Sequence, residues 1–212
     1  AIKTAIEASL QRLQTDYVDL YFSHWPDDEA SHEETLGAYD VLIRSGKVRV
    51  IGASNYTAAM VKEANETAVI KSLQRYEVLQ PRYNLYDRAE FEALREVVLA
   101  EQIGTVVYYS LASGFLTGKY RSKADFGKSP RGGGAEKYLD AKGERILAAL
   151  DQVAGANDAT PAEVSLAWLV AQPGVTAPIA SATSVEQVKS LAKGVRLKLS
   201  DEDVAMLTEA GR

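Results

Sequence analysis

The sequence predicts an α/β fold in which parallel strands are joined by helices. Short runs rich in β-branched and aromatic residues alternate with segments whose apolar residues recur at helical spacing. The alternation occurs five times, at about the 30 residues of a strand–helix–strand unit. No linker-like segment interrupts residues 1–212, so we expect a single domain. Alternation alone fits both a barrel and an open doubly wound sheet, but no Gly-x-Gly-x-x-Gly follows a strand, which weakens the dinucleotide-fold alternative.

Composition narrows the class of protein. The chain has 212 residues, 46% of them hydrophobic, with a net charge of −5 and no cysteine. Disulfides and thiolate metal sites are therefore excluded, and we expect neither a metal nor a nucleic-acid partner. No apolar run approaches the roughly 20 residues that a membrane helix needs. We expect a soluble, cytoplasmic protein that is a monomer or a weak homo-oligomer.

The elements follow in chain order. An opening helix over residues 1–13 begins in mid-pattern, with no initiating methionine, which suggests a truncated amino-terminal side. Later helices are predicted from the acidic segment 27–34 to Gly46, from Thr57, from an Asp87–Glu90 capping box, over 141–154 and 160–171, and from Ser184 and Ser200. Strands are predicted over 17–22, 48–53, 76–80, 104–109 and 175–179. The glycine-rich loop after the fourth strand, which includes residues 131–134, has the length of a functional lid or a mobile segment.

The first predicted strand delivers a histidine at its carboxyl end. His24 follows an apolar and aromatic run, and Pro26 lacks the backbone donor that would continue the ladder. Because ligands of α/β sheets and barrels bind at the carboxyl ends of the strands, His24 is a candidate site residue. The alternative is a hydrogen-bonded residue at the edge of the core. We expect His32, in the acidic segment, to be a solvated residue without a role.

Polar or aromatic residues also follow each of the four remaining predicted strands. Asn55 and Gln80 each offer a donor and an acceptor to an amide-bearing ligand, and Tyr109 offers a flat ring for stacking. Ser181 leads into a helix amino terminus, which favours phosphate. The alternatives are a turn at 54–55 that caps the next helix, a core position for Tyr109, and a capping-box role for Gln187.

Five segments together resemble the aldo-keto reductase family, whose members are nicotinamide-dependent (β/α)8 barrels. The resemblance rests on residues 9–21, 24–26, 46–55, 80–85 and 109–120, in that order along the chain. It implies a (β/α)8 TIM barrel of which strands four to eight are present, with the amino-terminal units absent. Residues 1–212 would then be a single barrel domain, truncated on its amino-terminal side.

The same resemblance implies roles for the residues at the strand ends. His24 would orient the substrate carbonyl, and Trp25 would line the substrate site. Ser54, Asn55 and Gln80 would hold the nicotinamide carboxamide.

Further cofactor contacts are implied in the second half of the chain. Tyr109 would stack on the nicotinamide ring. The residues implied along the pyrophosphate are Ser110, Leu111, Gly114 and Lys119. Those implied near the adenosine phosphate are Ser181 and Gln187.

Two departures from the family pattern qualify these implications. The family often places arginine or lysine around the 2′-phosphate, where this chain has neutral side chains; Lys189 or Arg131 is a candidate for the missing charge. We expect NADP(H) rather than NAD(H). The family's catalytic tyrosine, lysine and aspartate belong to early units without a counterpart in this sequence.

The resemblance thus implies an NAD(P)H-dependent oxidoreductase that reduces a small-molecule aldehyde or ketone by hydride transfer. Two alternatives remain. One is a cofactor-binding regulatory barrel of the kind that partners ion channels. The other is a catalytically inert fragment.

Overall fold

The computed structural model describes residues 1–129 and 132–212. The strands in these ranges are β1 Val18–Ser23, β2 Val48–Ser54, β3 Val78–Gln80, β4 Gly104–Val107 and β5 Ala177–Pro178. The helices are α1 Ile2–Leu13, α2 His32–Arg44, α3 Ala58–Lys71, α4 Ala89–Ala100, α5 Ala141–Ala156, α6 Pro161–Val170, α7 Val185–Gly194 and α8 Asp201–Ala210. The predicted alternation of strands and helices is confirmed.

The chain divides into two compact units. The first consists of Ala1–Pro81 and Ala93–Thr105, and the second of Arg82–Glu92 and Val106–Arg212. The expectation of a single domain over residues 1–212 stays a prediction.

In the first unit, strands pair in parallel and in chain order. Val18 of β1 pairs with Val48 of β2, Gly52 of β2 pairs with Val78 of β3, and Val78 pairs with Gly104 at the start of β4. Parallel pairing directs the carboxyl ends of β1, β2 and β3 to one edge of the sheet. The residues that follow these strands are therefore neighbours.

Local sequence signals fix the helices of the first unit. Ser31 and Glu34 form a reciprocal capping box at the start of α2, and the Thr57 hydroxyl accepts a hydrogen bond from the Met60 backbone N–H at the start of α3. Both helices bury an apolar face. The fully buried residues include Leu36 and Leu42 of α2, Val61 and Ala64 of α3, and Ile51 of β2.

The second unit is mainly helical around a short strand pair. Val107 at the end of β4 pairs in parallel with Pro178 of β5. The helices α5 to α8 are capped at their amino termini by Asp140, Thr160, Ser184 and Ser200. Each of these side chains accepts a hydrogen bond from the backbone N–H three residues further on. Their core includes Ile146, Leu150, Val164, Trp168 and Leu207, all fully buried.

The glycine-rich loop contains 3₁₀ segments over Ala112–Thr117, Lys123–Lys128 and Gly132–Tyr138. Its role as a lid or mobile segment stays a prediction. Two expectations about local structure were wrong. The predicted Asp87–Glu90 box is not formed, since the Asp87 backbone N–H donates to Asn84 and the Glu90 carboxylate accepts from the Arg82 backbone. The strand predicted over 175–179 extends over two residues only, because the Val175 N–H donates to the Gln172 carbonyl within a turn.

Among the described residues, no helix is both long and apolar enough to span a membrane.

Candidate active site

The residues predicted to form a site are divided between the two units. In the first unit, hydrogen bonds tie together the ends of β1, β2 and β3. The Asn55 amide nitrogen donates to the His24 carbonyl oxygen at 2.8 Å and lies 3.3 Å from the Ser54 hydroxyl. The Ser54 hydroxyl in turn donates to the Gln80 carbonyl oxygen at 2.7 Å. The structure therefore brings His24, Ser54, Asn55 and Gln80 together.

The backbone at Asn55 explains how its side chain reaches β1. Asn55 has a φ of 61°, a left-handed conformation that asparagine adopts more readily than most residues. The helix after it is capped by Thr57, so the alternative in which Ser54 and Asn55 cap that helix is wrong. Asn55 instead fastens the His24 backbone to the end of β2.

His24 and Trp25 form an exposed aromatic pair. Their rings stack at a centroid distance of 5.6 Å with an interplanar angle of 29°. The Trp25 side chain is 63% exposed, and His24 is exposed as well. A polar ring beside a large apolar surface is suited to contact a carbonyl compound that has an apolar body.

Sequence reasoning missed a cluster of buried hydroxyl groups directly before His24. The Ser23 hydroxyl lies 3.0 Å from the Tyr39 hydroxyl and 3.1 Å from that of Tyr76, which lies 3.3 Å from the Tyr56 hydroxyl. We call these four residues the hydroxyl cluster. Burial raises the pKa of both Tyr39 and Tyr76. Because Ser23 bonds to two fixed tyrosines, the residue that precedes His24 has little freedom to move.

His32 differs from the expectation of a solvated residue. Its ring is half-buried, 6.1 Å from the Tyr56 ring, and its side chain is 20% exposed. It lines a cavity of about 460 Å³ with residues of α2 and α3, including Glu63 and Lys71.

In the second unit, Tyr109 follows β4 in a left-handed conformation with a φ of 57°. Its side chain is 46% exposed, so the alternative of a core position is wrong. The Arg82 guanidinium lies over its ring, 4.7 Å from the centroid. The Tyr108 ring approaches at 5.6 Å with an interplanar angle of 60°. An exposed aromatic face therefore remains for a flat ligand.

Asn84 holds the Tyr109 backbone in place. It is fully buried, and its amide nitrogen donates to the Tyr109 carbonyl oxygen at 3.0 Å and to the Asp87 carboxylate at 3.1 Å. Its amide oxygen accepts from the backbone N–H groups of Tyr86 and Asp87 at 2.9 and 2.8 Å. A left-handed tyrosine is costly, and these four bonds explain how it persists.

Asp87 is a second position that sequence reasoning did not find. Its carboxylate accepts from the Tyr138 hydroxyl at 2.7 Å and lies 3.8 Å from the Arg82 guanidinium nitrogen Nε. Burial, together with the Asp87 carboxylate, raises the pKa of Tyr138. Since Tyr138 is 51 residues from Asp87, no local pattern could have paired them.

The pyrophosphate group of predicted residues is compact. The Gly114 N–H donates to the Leu111 carbonyl oxygen at 2.8 Å, and a Cβ at Gly114 would lie 3.3 Å from Lys119 Cε. The Ser110 hydroxyl is buried and donates to the Val107 carbonyl, so it is already engaged. Lys119 is exposed, with Nζ 4.9 Å from the Tyr120 ring, and leaves a cation beside this turn.

The residues predicted near the adenosine phosphate lie at the start of α7. Ser181 is exposed. The Gln187 amide oxygen accepts from the Thr183 backbone N–H at 2.7 Å, and its backbone N–H donates to the Ser184 hydroxyl. The Ser184 hydroxyl caps α7, but the Gln187 side chain bonds to Thr183 and not to the Ser184 backbone, so the capping box of the alternative is incomplete. Lys189 is exposed, and Arg131 lies outside the described residues.

The donor set fits a nicotinamide carboxamide. That group has one acceptor oxygen and an NH₂ donor. The Ser54 oxygen keeps acceptor capacity beyond its bond to Gln80. Among the described contacts the Gln80 side-chain amide makes no hydrogen bond, and it offers one donor group and one acceptor.

Comparison with known proteins shows the family of the chain. The aldo/keto reductase family model matches residues 1–212. The aldo-keto reductase yakc of Schizosaccharomyces pombe, whose name specifies NADP(+), is 31% identical over 99% of this chain and 62% of its own length. Protein tas of Escherichia coli is 32% identical over 96% of this chain and 64% of its own length. A thermostable aldo-keto reductase solved with the inhibitor epalrestat has a TM-score of 0.79 and 31% identity, over 99% of this chain and 66% of that one.

Parallel strands joined by helices, together with the similarity to a solved aldo-keto reductase, define an α/β protein of the TIM-barrel type. The chain belongs to the aldo/keto reductase family. It spans less than two thirds of the length of the two relatives described. The α/β class and the family resemblance are confirmed. The finer expectation of a barrel without its amino-terminal units stays a prediction.

Proposed function

We propose that this protein reduces an aldehyde or ketone to an alcohol with a nicotinamide cofactor, and that NADP(H) is preferred to NAD(H). The observation that carries the proposal is the bonded group at the ends of three neighbouring parallel strands, in which Asn55 ties His24 to Ser54 and Gln80. Members of the family to which the chain belongs use NAD(P)H, and the name of one relative specifies NADP(+). We also propose that β1 to β5 correspond to strands four to eight of a (β/α)8 barrel.

The proposed roles follow from the chemistry of each side chain. Ser54, Asn55 and Gln80 fix the carboxamide and so set which face of the nicotinamide is presented. Tyr109 stacks on the ring, while the turn from Ser110 through Leu111 and Gly114 to Lys119 runs along the pyrophosphate. Ser181 and Gln187 lie toward the adenosine phosphate. A bound reduced nicotinamide supplies a hydride to the carbonyl carbon.

His24 acts on the substrate. A hydrogen bond from its ring to the carbonyl oxygen positions that oxygen and stabilises the negative charge that develops there. Trp25, stacked on the histidine, contacts the apolar part of the substrate and excludes water. As the hydride adds to the carbonyl carbon, the oxygen takes up a proton. The family pattern assigns that proton to a tyrosine that has no counterpart in this sequence.

Cofactor binding is the first test. The dissociation constant for NADPH is measured by fluorescence titration for the wild type, for Gln80→Ala, and for Gln11→Ala, which alters an exposed glutamine of α1. Loss of hydrogen bonds to the carboxamide is expected to weaken binding about tenfold in Gln80→Ala. Gln11→Ala is expected to bind as the wild type does. No binding by the wild type would refute the proposal.

Turnover is the second test, with an aromatic aldehyde as substrate. In His24→Ala we expect kcat/KM to fall about tenfold or more while the NADPH dissociation constant is unchanged. Full activity in this variant would remove His24 from the mechanism. Tight NADPH binding without any turnover by the wild type would favour a regulatory cofactor-binding role over the reductase.

The choice between NADP(H) and NAD(H) has its own test. If Lys189 supplies charge to the 2′-phosphate, Lys189→Ala is expected to weaken NADPH binding severalfold and to leave NADH binding unchanged. Equal effects on NADPH and NADH binding would show that Lys189 does not contact the 2′-phosphate.

A further inference from the structure

Tyr109 has a cation on one face of its ring. The Arg82 guanidinium carbon lies 4.7 Å from the ring centroid, within the range of a cation–π contact. The Arg82 nitrogen Nε is buried and has no hydrogen-bond partner among the described residues. Because this nitrogen lacks a hydrogen bond, other contacts must hold the guanidinium beside the ring.

The position of Arg82 is fixed by its neighbours. Its backbone N–H donates to the Glu90 carboxylate at 3.0 Å, and its backbone bridges to Tyr108. The Asp87 carboxylate lies 3.8 Å from Arg82 Nε and is itself held by Asn84 and Tyr138. The same Asn84 bonds the Tyr109 carbonyl, so one network positions both the cation and the ring.

The positive charge of Arg82 on one face of the Tyr109 ring affects the binding of the two redox states of a nicotinamide differently. The reduced ring is neutral, whereas the oxidised ring carries a positive charge. A nicotinamide stacked on the free face of Tyr109 would lie roughly 8 Å from the guanidinium. Like charges at that distance in a half-exposed site repel enough to change a binding constant about fivefold. The Asp87 carboxylate, 3.8 Å from Arg82 Nε, reduces this repulsion in part.

We propose that Arg82, by lying behind the Tyr109 ring, makes the site bind the reduced nicotinamide more tightly than the oxidised one. The inference rests on the proposed function, in which Tyr109 stacks on the cofactor. Once the hydride has been transferred to the substrate, the nicotinamide ring is positively charged and Arg82 repels it. Reduction of the substrate therefore favours release of the oxidised cofactor.

The test compares dissociation constants for NADPH and NADP⁺, both measured by calorimetric titration. In Arg82→Met, which keeps the apolar bulk but removes the charge, NADP⁺ binding is expected to tighten about fivefold relative to NADPH. Arg82→Lys keeps the charge and is expected to keep most of the wild-type preference. Arg49→Met removes the guanidinium that lies 4.1 Å from the Tyr17 ring in the first unit, and should leave the ratio unchanged.

A second variant, Asp87→Asn, is expected to change the ratio of the NADP⁺ and NADPH dissociation constants in the opposite direction. Asn in place of Asp87 removes the carboxylate that pairs with the Arg82 guanidinium, so NADP⁺ binding is expected to weaken further relative to NADPH binding. An unchanged ratio in Arg82→Met, or equal weakening of both forms, would overturn the inference and leave the proposed function standing. Failure of the wild type to bind either form would overturn the proposed function instead.

Discussion

The close approach of α5 to Tyr138 predicts opposite effects for the same substitution at two positions of one helix. Gly143 lies in the first turn of α5, where a Cβ would come within 1.8 Å of the Tyr138 carbonyl oxygen and 2.9 Å of the Phe115 ring. Gly155 lies in the last turn, is exposed, and has nothing within 4 Å of its Cβ position. Gly143→Ala should therefore destabilise the protein, and Gly155→Ala should stabilise it.

The magnitudes follow from two terms. Replacing glycine by alanine inside a helix stabilises it by up to about 1 kcal/mol. At Gly143 the overlap is with a backbone oxygen, which no rotamer change can relieve, and overpacking of this kind costs about 1–3 kcal/mol or more. We expect Gly143→Ala to lose about 1–2 kcal/mol overall and Gly155→Ala to gain somewhat less than 1 kcal/mol, because terminal turns fray.

Thermal unfolding followed by circular dichroism measures both variants. For a chain of this length, 1 kcal/mol corresponds to roughly 2–4 °C in Tm. Gly143→Ala is expected to lower Tm by about 2–8 °C, and it should also weaken NADPH binding, because Tyr138 holds the Asp87 carboxylate. A Tm for Gly143→Ala equal to or above that of the wild type would refute the reasoning. Gly155→Ala controls for the intrinsic effect of the substitution.

Three further predictions concern buried polar groups. Asn84→Ala removes four hydrogen bonds and should cost about 2–4 kcal/mol in urea unfolding while weakening NADPH binding through Tyr109; a loss below about 0.5 kcal/mol would contradict this. Tyr76→Phe leaves two hydroxyls short of a partner and should cost about 1–2 kcal/mol, a value that the same unfolding assay checks. Although burial opposes ionisation, hydrogen bonds and Lys193 hold the pKa of Glu163 below 4.5. The stabilisation by Glu163 is therefore complete above about pH 4.5 and is lost as pH falls through the lower folded pKa. A pH series should show Glu163→Gln less stable than the wild type at pH 7, with the difference shrinking as pH falls below about 4.5.

Local signals predicted the helices well because each signal lies within a few residues of the feature it specifies. The helix starts predicted at Thr57, Ser184 and Ser200 are all present in the structure, each with a side chain that caps the helix. The position of His24 could also be predicted. Pro26 stops the strand pairing shortly after β1, so the residue directly after Ser23 lies at the carboxyl end of the strand.

The contacts that shape the candidate site could not be predicted in this way. The stack of Arg82 on Tyr109 and the bond from Tyr138 to Asp87 each join distant positions, so they depend on how the turn after β4 folds. Left-handed tyrosine is also disfavoured by propensity, and the Tyr109 carbonyl is held by hydrogen bonds from the buried Asn84 and from the Ala112 backbone N–H. Such packing-dependent pairs leave no periodic trace in the sequence.

The hydroxyl cluster before His24 has an evolutionary consequence. Each member satisfies another, so a single replacement leaves a buried oxygen without its partner, whereas replacing all of them with apolar groups of similar shape is close to neutral. The path between the two arrangements passes through less stable intermediates, which is a case of strong epistasis. Relatives with an aliphatic residue in place of Ser23 are therefore expected to have phenylalanine in place of Tyr39 and Tyr76, so that these positions covary as one unit.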